Sequence, residues 1–317
     1  MKKIGIIFGM ENTFPGALVE KINSMNVPDL RAEFVHIGGV KMAEPSGFSV
    51  IVDRISHDIP FYRAYLKNAA LSGTVVINNP FWWSADDKFF NNALATTIGV
   101  AVPRTVLLPS NQLPPDTNEK SFRNLGYPLD WEAIFNYVGW PAFFKPFIGG
   151  GWKNVYRLHN REEFFRAYAD TGHLVMMLQE EIKFDMNFRC YSIDQRHVRI
   201  MPYEPRNPFH LRYQTEWHAP KEILQRVEEG VLRLNQFLGY DLNTVEFAMR
   251  DGVPVAIDFC NPAPDCEAAW IGQHNFEWVV EAISEMAIRK AREHVPDRDN
   301  LSWGKFLQAA VTKSDLA

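Results

Sequence analysis

Three segments of this chain carry residues whose types and spacing can do chemistry. The first is Trp140-Pro141-Ala142-Phe143-Phe144-Lys145-Pro146-Phe147-Ile148-Gly149-Gly150-Gly151-Trp152. A lysine at the end of an apolar strand can set its ammonium on a phosphate oxygen. Gly149, Gly150 and Gly151, lacking Cβ atoms, let backbone N–H groups close over the other phosphates. This is not a Walker A loop, because the lysine precedes the glycines and no Gly-Lys-Ser/Thr follows them. Taken alone, the segment reads equally well as a β-hairpin with a glycine turn and a surface lysine. The second segment is an apolar strand, Leu174 to Ile182, that ends in Gln179-Glu180-Glu181-Ile182 and passes into Lys183-Phe184-Asp185. Its backbone near Glu180 to Ile182 can read a purine edge, and Asp185 can accept from a ribose hydroxyl. In the third, two strands, Thr244 to Met249 and Val253 to Pro262, flank Arg250-Asp251-Gly252. An Asp-Gly between alternating apolar runs is a hairpin signal, and this one brings Glu246 and Asp258 onto neighbouring strands. Two carboxylates with the amide oxygen of Asn261 suit Mg²⁺, a hard cation that takes few protein oxygens beside substrate phosphates.

In this order and spacing, from about Asp87 to Ala263, the segments resemble the ATP-grasp superfamily, of the carboxylate-amine ligase type. They are similar to ribosomal-protein-S6-modification-like and D-alanine–D-alanine-ligase-like enzymes. The resemblance implies an α/β protein: two α+β lobes clasping ATP, preceded by an N-terminal parallel-sheet α/β domain. Carried over residue by residue, it makes Lys88 the first nucleotide lysine and Lys145 the second. Gly149 to Gly151 become the phosphate loop, Gln179, Glu180, Glu181 and Ile182 the adenine hinge, and Asp185 the ribose carboxylate. Glu246, Asp258 and Asn261 become the set that holds Mg²⁺, with Mn²⁺ as an alternative. The family commonly has an acid, one spacer and Asn, whereas two residues separate Asp258 from Asn261 here. Strict alternation then turns those side chains to opposite faces, so a bulge after Asp258 is needed if both are to reach metal.

The chemistry implied is phosphoryl transfer from ATP to a substrate carboxylate, followed by attack of an amine or similar nucleophile on the acyl-phosphate. Such transfer rests on positioning and charge stabilisation. Arg189 and Arg206 are therefore the candidates for the γ-phosphate and acyl-phosphate oxygens, against surface ion pairing for either. Arg54 and His57 follow an apparent sheet strand at its carboxyl end, where ligands of open parallel sheets collect. The partners expected are a small-molecule or peptide carboxylate and an amine. A small-molecule kinase of the same fold, and a nucleotide-binding protein without activity, stay open as alternatives.

Composition sets limits around this reading. The chain has 317 residues, 46% apolar and 22% charged, enough for two or three packed units. A net charge of −5 leaves no footprint for nucleic acid, and no run approaches the apolar length of a membrane span. Cys190, Cys260 and Cys266 are odd in number and lack paired metal spacing, which points to reduced cytoplasmic thiols. A homo-oligomer stays open.

The elements that must position these residues are legible as strand-helix alternation at the start. Strands are expected at Lys3–Phe8, Ala32–Ile37, Phe48–Asp53 and Gly73–Pro80, with helices from Thr13 and over Tyr62–Leu71, so a parallel sheet is the natural reading. A helix over Asp87–Gly99 carries Lys88, and Val102–Leu108 enters a further strand. The domains expected are 1–108, the N-terminal α/β domain; 109–182, the small lobe, with helices at Trp131–Val138 and Glu162–Asp170; and 183–317, the large lobe with the metal site. Amphipathic helices over Glu222–Leu238 and Phe276–Glu293 complete the large lobe.

Overall fold

The computed structural model describes residues 1–81, 87–150, 152–213, 218–296 and 300. Gly151 of the phosphate loop lies outside the described residues. The chain forms two compact units: one from 1–84, 186–247 and 258–317, the other from 85–185 and 248–257.

Unit 1 opens with alternating strands and helices: β1 (Lys2–Ile7), α1 (Phe14–Ser24), β2 (Leu30–Phe34), β3 (Val50–Asp53), α2 (Pro60–Leu71) and β4 (Val75–Ile77). The strands make a parallel sheet in the order β2-β1-β3-β4. Period-two alternation sends Ile4, Ile6, Val50 and Val52 to one face, against Phe14, Leu18 and Ile22 of α1. Ile7, Ile51 and Val76 go to the other, against Leu66, Ala69 and Ala70 of α2. At roughly 25 cal/mol per Å² of apolar surface removed from water, these two faces supply the main attraction holding the sheet. The unit is completed by β9 (Asn187–Ile193), β10 (His197–Pro202), α6 (Lys221–Leu238), most of β11 (Leu242–Arg250), α7 (Ala268–Ile271) and α8 (Gln273–Glu293). Helix α8 packs on α1, β1 and β9, and its Val279, Ile283 and Met286 share a core with Ile4, Tyr191 and Leu242.

Unit 2 holds α3 (Lys88–Thr97), β5 (Thr105–Leu108), α4 (Trp131–Val138), β6 (Ala142–Pro146), β7 (Tyr156–Leu158), α5 (Arg161–Ala169) and β8 (Met176–Glu180). Its antiparallel sheet runs β5-β8-β6-β7. The core beneath is largely aromatic: Phe135, Phe144 and Phe164, with Trp131 and Tyr168 against them. Most of their ring pairs are tilted or edge-to-face at 5.1–6.1 Å, a geometry that ring quadrupoles favour, and two are stacked. The third sheet runs β10-β9-β11-β12, with β12 at Val253–Asp258. The Asp-Gly hairpin forms as expected: Asp251 at φ 52° and Gly252 at φ 76° are the two left-handed residues of a type I′ turn.

The two units are interleaved along the chain. Strand β5 pairs antiparallel with β8 and so belongs with unit 2, not with the parallel sheet. Helix α8 joins the N-terminal sheet instead of closing a separate lobe. A short apolar strand and an amphipathic helix fit more than one partner, and only packing selects among them.

Candidate functional site

The residues expected to meet a nucleotide lie in unit 2, and local structure accounts for their placing. Helix α3 begins at Lys88 because Asp87 caps it, its Oδ1 accepting from the Phe90 N–H at 2.9 Å; such a cap is worth about 1 kcal/mol. The Lys88 N–H donates to the Phe147 carbonyl at 2.8 Å, which ties the first lysine to the chain just before Gly149. Lys145 sits in β6, opposite Met177 of β8. Gly149 has φ +102°, and a Cβ added at Gly149 or Gly150 would meet nothing within 4 Å. The space beside both Cα atoms is thus open.

At the hinge, both glutamate side chains are occupied. The Glu180 carboxylate accepts from Arg104 Nη2 at 3.0 Å and Nε at 3.2 Å, and from Arg250 Nη1 at 2.9 Å. Burial works against its charge, but these arginines hold its carboxyl below the usual range. Glu181 pairs with Arg157 through two bonds of 2.8 and 3.0 Å. Gln179 is buried and donates to Thr105 Oγ1 at 3.0 Å. The N–H groups of Glu180 and Glu181 go to the carbonyls of Arg104 and Pro141, whereas no backbone hydrogen bond holds the Ile182 N–H among the described residues. Ile182 is buried with Ala248 and Val255, so an apolar wall adjoins this N–H. Asp185 is exposed at the end of this segment. Nothing in the local sequence marks Arg104, Arg157 or Arg250 as partners of the hinge; their pairing arises only when the strands assemble.

The carboxylates lie in unit 1. Glu246 on β11 is ion-paired with Arg189 on β9, and both side chains are nearly buried, 11% and 12% exposed. The Arg189 guanidinium also stands 5.4 Å from the Tyr203 ring centroid, a cation–π contact, and its buried Nε has no hydrogen-bond partner among the described residues. Burial pushes the Glu246 carboxyl up, Arg189 and Arg212 act to lower it, and Asp258 raises it further. Two carboxylates close enough to repel in a buried setting are a donor set that a cation would relieve. The Asn261 Nδ2 donates to the Thr244 carbonyl at 3.1 Å, and its Oδ1 is an acceptor. Hard oxygen donors of this kind fit Mg²⁺. Among the described residues no group of three or more His, Cys, Asp or Glu side chains is placed to hold a metal.

Arg206 is not brought to these groups. It is 68% exposed and binds Glu204 through bonds of 2.6 and 2.7 Å, the surface ion pair weighed against function above. A turn places this carboxylate two residues before the arginine, and that local partner captures it. The cation that acts on Glu246 besides Arg189 is Arg212, which donates to the Tyr203 hydroxyl at 3.3 Å. Arg54 is buried, bound to Glu11 and to the Pro264 carbonyl. The N-terminus of α1, where a ligand anion of the parallel sheet would be received, is answered by the protein's own Glu267. Its carboxylate accepts from the N–H groups of Asn12 at 2.9 Å and Thr13 at 3.0 Å.

No protein-family model matches the chain, and no curated protein matches it. Solved structures do. A RimK domain protein ATP-grasp from Sphaerobacter thermophilus is similar over 90% of this chain and 99% of its own, with a TM-score of 0.65 at 14% identity. The chain has the ATP-grasp fold. The VanG D-Ala:D-Ser ligase from Enterococcus faecalis shares this fold over 93% of the chain and 99% of its own, with a TM-score of 0.63 at 15% identity. So does the ATP-grasp ligase PsnB, complexed with a minimal precursor, Mg and ADP, over 91% and 97%, with a TM-score of 0.60 at 15% identity. The ATP-grasp fold thus accounts for a parallel N-terminal sheet followed by two antiparallel sheets. No helix among the described residues is long and apolar enough to cross a membrane.

Proposed function

We propose that the protein is an ATP-dependent ligase that activates a substrate carboxylate as an acyl-phosphate and joins it to an amine, releasing ADP and phosphate. The observation that carries this reading is the buried Arg189–Glu246 pair with Asp258 close to Glu246 and an Arg189 Nε unpartnered among the described residues. Burying a guanidinium beside two carboxylates is costly for structure alone, and such a charge cluster suits the oxygens of a transferred phosphoryl group and its metal. Lys88 and Lys145 hold phosphate oxygens of ATP, and the open backbone at Gly149 and Gly150 covers them. The Ile182 N–H reads the adenine edge, and Asp185 accepts from the ribose. Glu246, Asp258 and Asn261 hold Mg²⁺, which when bound offsets charge on the β- and γ-phosphates. Arg189, with Arg212 beyond Tyr203, steadies the transferred phosphoryl group. The ATP-grasp ligases among the structural neighbours, one with Mg and ADP bound, support ATP and Mg²⁺ as ligands. A cytoplasmic setting is part of the proposal, on Cys190, Cys260 and Cys266, none of which forms a disulfide among the described residues.

The test is ATP-dependent phosphate release across panels of amino acids, peptides and small diacids, with and without added amines. A ligase releases orthophosphate only when a carboxylate and an amine are both supplied. A phosphorylated product that accumulates without any amine dependence would make the protein a kinase, and no ADP formation with any acid would refute catalysis of either kind.

A further inference from the structure

The spacing after Asp258 needs a physical solution if Asn261 is to act with Glu246 and Asp258. Strand β12 ends at Asp258, so Phe259, Cys260 and Asn261 continue outside the regular ladder, and their backbone groups need other partners. One buried asparagine side chain supplies partners at Phe259 and Asn261, and a second holds Pro262 just beyond. Asn243 of β11 donates from Nδ2 to the Phe259 carbonyl at 2.8 Å and to Asn235 Oδ1 of α6 at 2.9 Å, and its Oδ1 accepts from the Asn261 N–H at 2.8 Å. Asn235 in turn donates to the Val231 carbonyl at 2.8 Å. Asn78, just after β4, accepts from the Asp241 and Leu242 N–H groups at 2.8 and 2.9 Å. It donates to the carbonyls of Leu242 at 2.7 Å and Pro262 at 3.0 Å. Because the partners are backbone N–H and C=O groups, the orientation of both amides is fixed by chemistry.

The two clamps grip the chain on either side of one residue: Asn243 holds Phe259 and Asn261, and Asn78 holds Pro262. Between them the Asn261 side chain is turned by its own bond to the Thr244 carbonyl, two residues before Glu246 on β11. We propose that Asn243, backed by Asn235, and Asn78 are positioning residues that deliver the Asn261 Oδ1 to the metal set despite the extra spacer. They do the work of a strand bulge with side chains. This rests on the metal reading made under Proposed function. A purely structural role, satisfying buried peptide groups and nothing else, would make any loss of metal affinity in a clamp variant follow from lost stability.

The experiment is titration of the full-length protein with Mn²⁺ in the presence of a saturating non-hydrolysable ATP analogue, reading free Mn²⁺ by electron paramagnetic resonance. Asn261→Ala and Asn243→Leu should each weaken Mn²⁺ binding by about tenfold or more. The double variant should be no more than about threefold weaker than the worse single one, since the clamp acts through Asn261. Leu238→Ala, a core change in α6, should lower the melting temperature without moving the Mn²⁺ affinity. If Asn243→Leu does not fold, Asn243→Ser is measured in its place. Unchanged Mn²⁺ affinity in the clamp variants, or losses that multiply in the double variant, would overturn the proposal. Normal Mn²⁺ binding by Glu246→Gln would instead overturn the metal site itself, an outcome distinct from failure of the clamp alone.

Discussion

At Glu246 a buried carboxylate meets one arginine directly, a second at longer range and another carboxylate, and burial is the largest of the effects on it. Its folded-state pKa is raised above the unfolded value of about 4.3, so the folded chain holds this proton more tightly. The stability this contributes is complete below the unfolded pKa and is lost as pH rises through the folded one. In the proposed site, metal binding would need the carboxylate and would gain over the same rise. The metal-free protein should lose melting temperature as pH is raised through that window while Mg²⁺ affinity grows, and Glu246→Gln should flatten both trends; melting curves and metal titrations across the window check this. Arg189→Lys keeps charge but loses the planar fork that holds two oxygens at once. It should lower kcat by well over tenfold, about 1.4 kcal/mol, with ATP affinity within a few-fold, as steady-state kinetics would report. The glycines separate by conformation: Gly149 at φ +102° resists any side chain, whereas Gly150 lies in open space. Gly150→Ala should leave the melting temperature unchanged and raise the KM for ATP, because its added methyl meets only an incoming phosphate.

Elements hold these residues to position by close packing. A Cβ added to Gly230 of α6 would come 2.8 Å from Phe247 Cζ, and that ring, next to Glu246 on β11, is buried and cannot swing aside. Gly230→Ala gains about 1 kcal/mol of helix propensity but overpacks at a cost of about 1–3 kcal/mol. The expected outcome is a net loss of stability in denaturant titration, with kcat reduced as β11 shifts. At the hinge, the clasp of Arg104 and Arg250 on Glu180 fixes the strand end that presents the Ile182 N–H. ATP should be preferred to GTP by about tenfold or more, and Arg250→Ala should raise the KM for ATP more than it lowers kcat, the mark of lost uniform binding. Equal use of the two nucleotides would remove the hinge from the site. Arg157→Ala should change little, since its pair with Glu181 is formed by a half-exposed arginine at the surface.

Across the whole molecule, unit 1 is assembled from three separate stretches of chain and unit 2 from two, so ligand binding should register in global stability. Mg²⁺ with ATP at about a hundred times its dissociation constant should add roughly 2.7 kcal/mol, and Asp258→Asn should remove the metal-dependent part of that gain, as thermal melts with and without Mg²⁺ would show. What the sequence by itself determined is local. Period-two apolar runs, amphipathic helices, the Asp-Gly turn and the lysine followed by glycines each act over a few residues, and the fold class could be read from their order. What only the tertiary structure decided is partnership at a distance. Gln179 lies 74 residues from Thr105, with which β8 closes the sheet of unit 2, and Asn78 lies 164 residues from the Leu242 that it clamps. Arg206 and Arg212 look alike in sequence, yet one is spent on Glu204 and the other acts on Glu246. Turn chemistry and hydrophobic period are properties of adjacent residues, whereas the choice of a hydrogen-bond or charge partner depends on which strands pack together, and no local pattern carries that information.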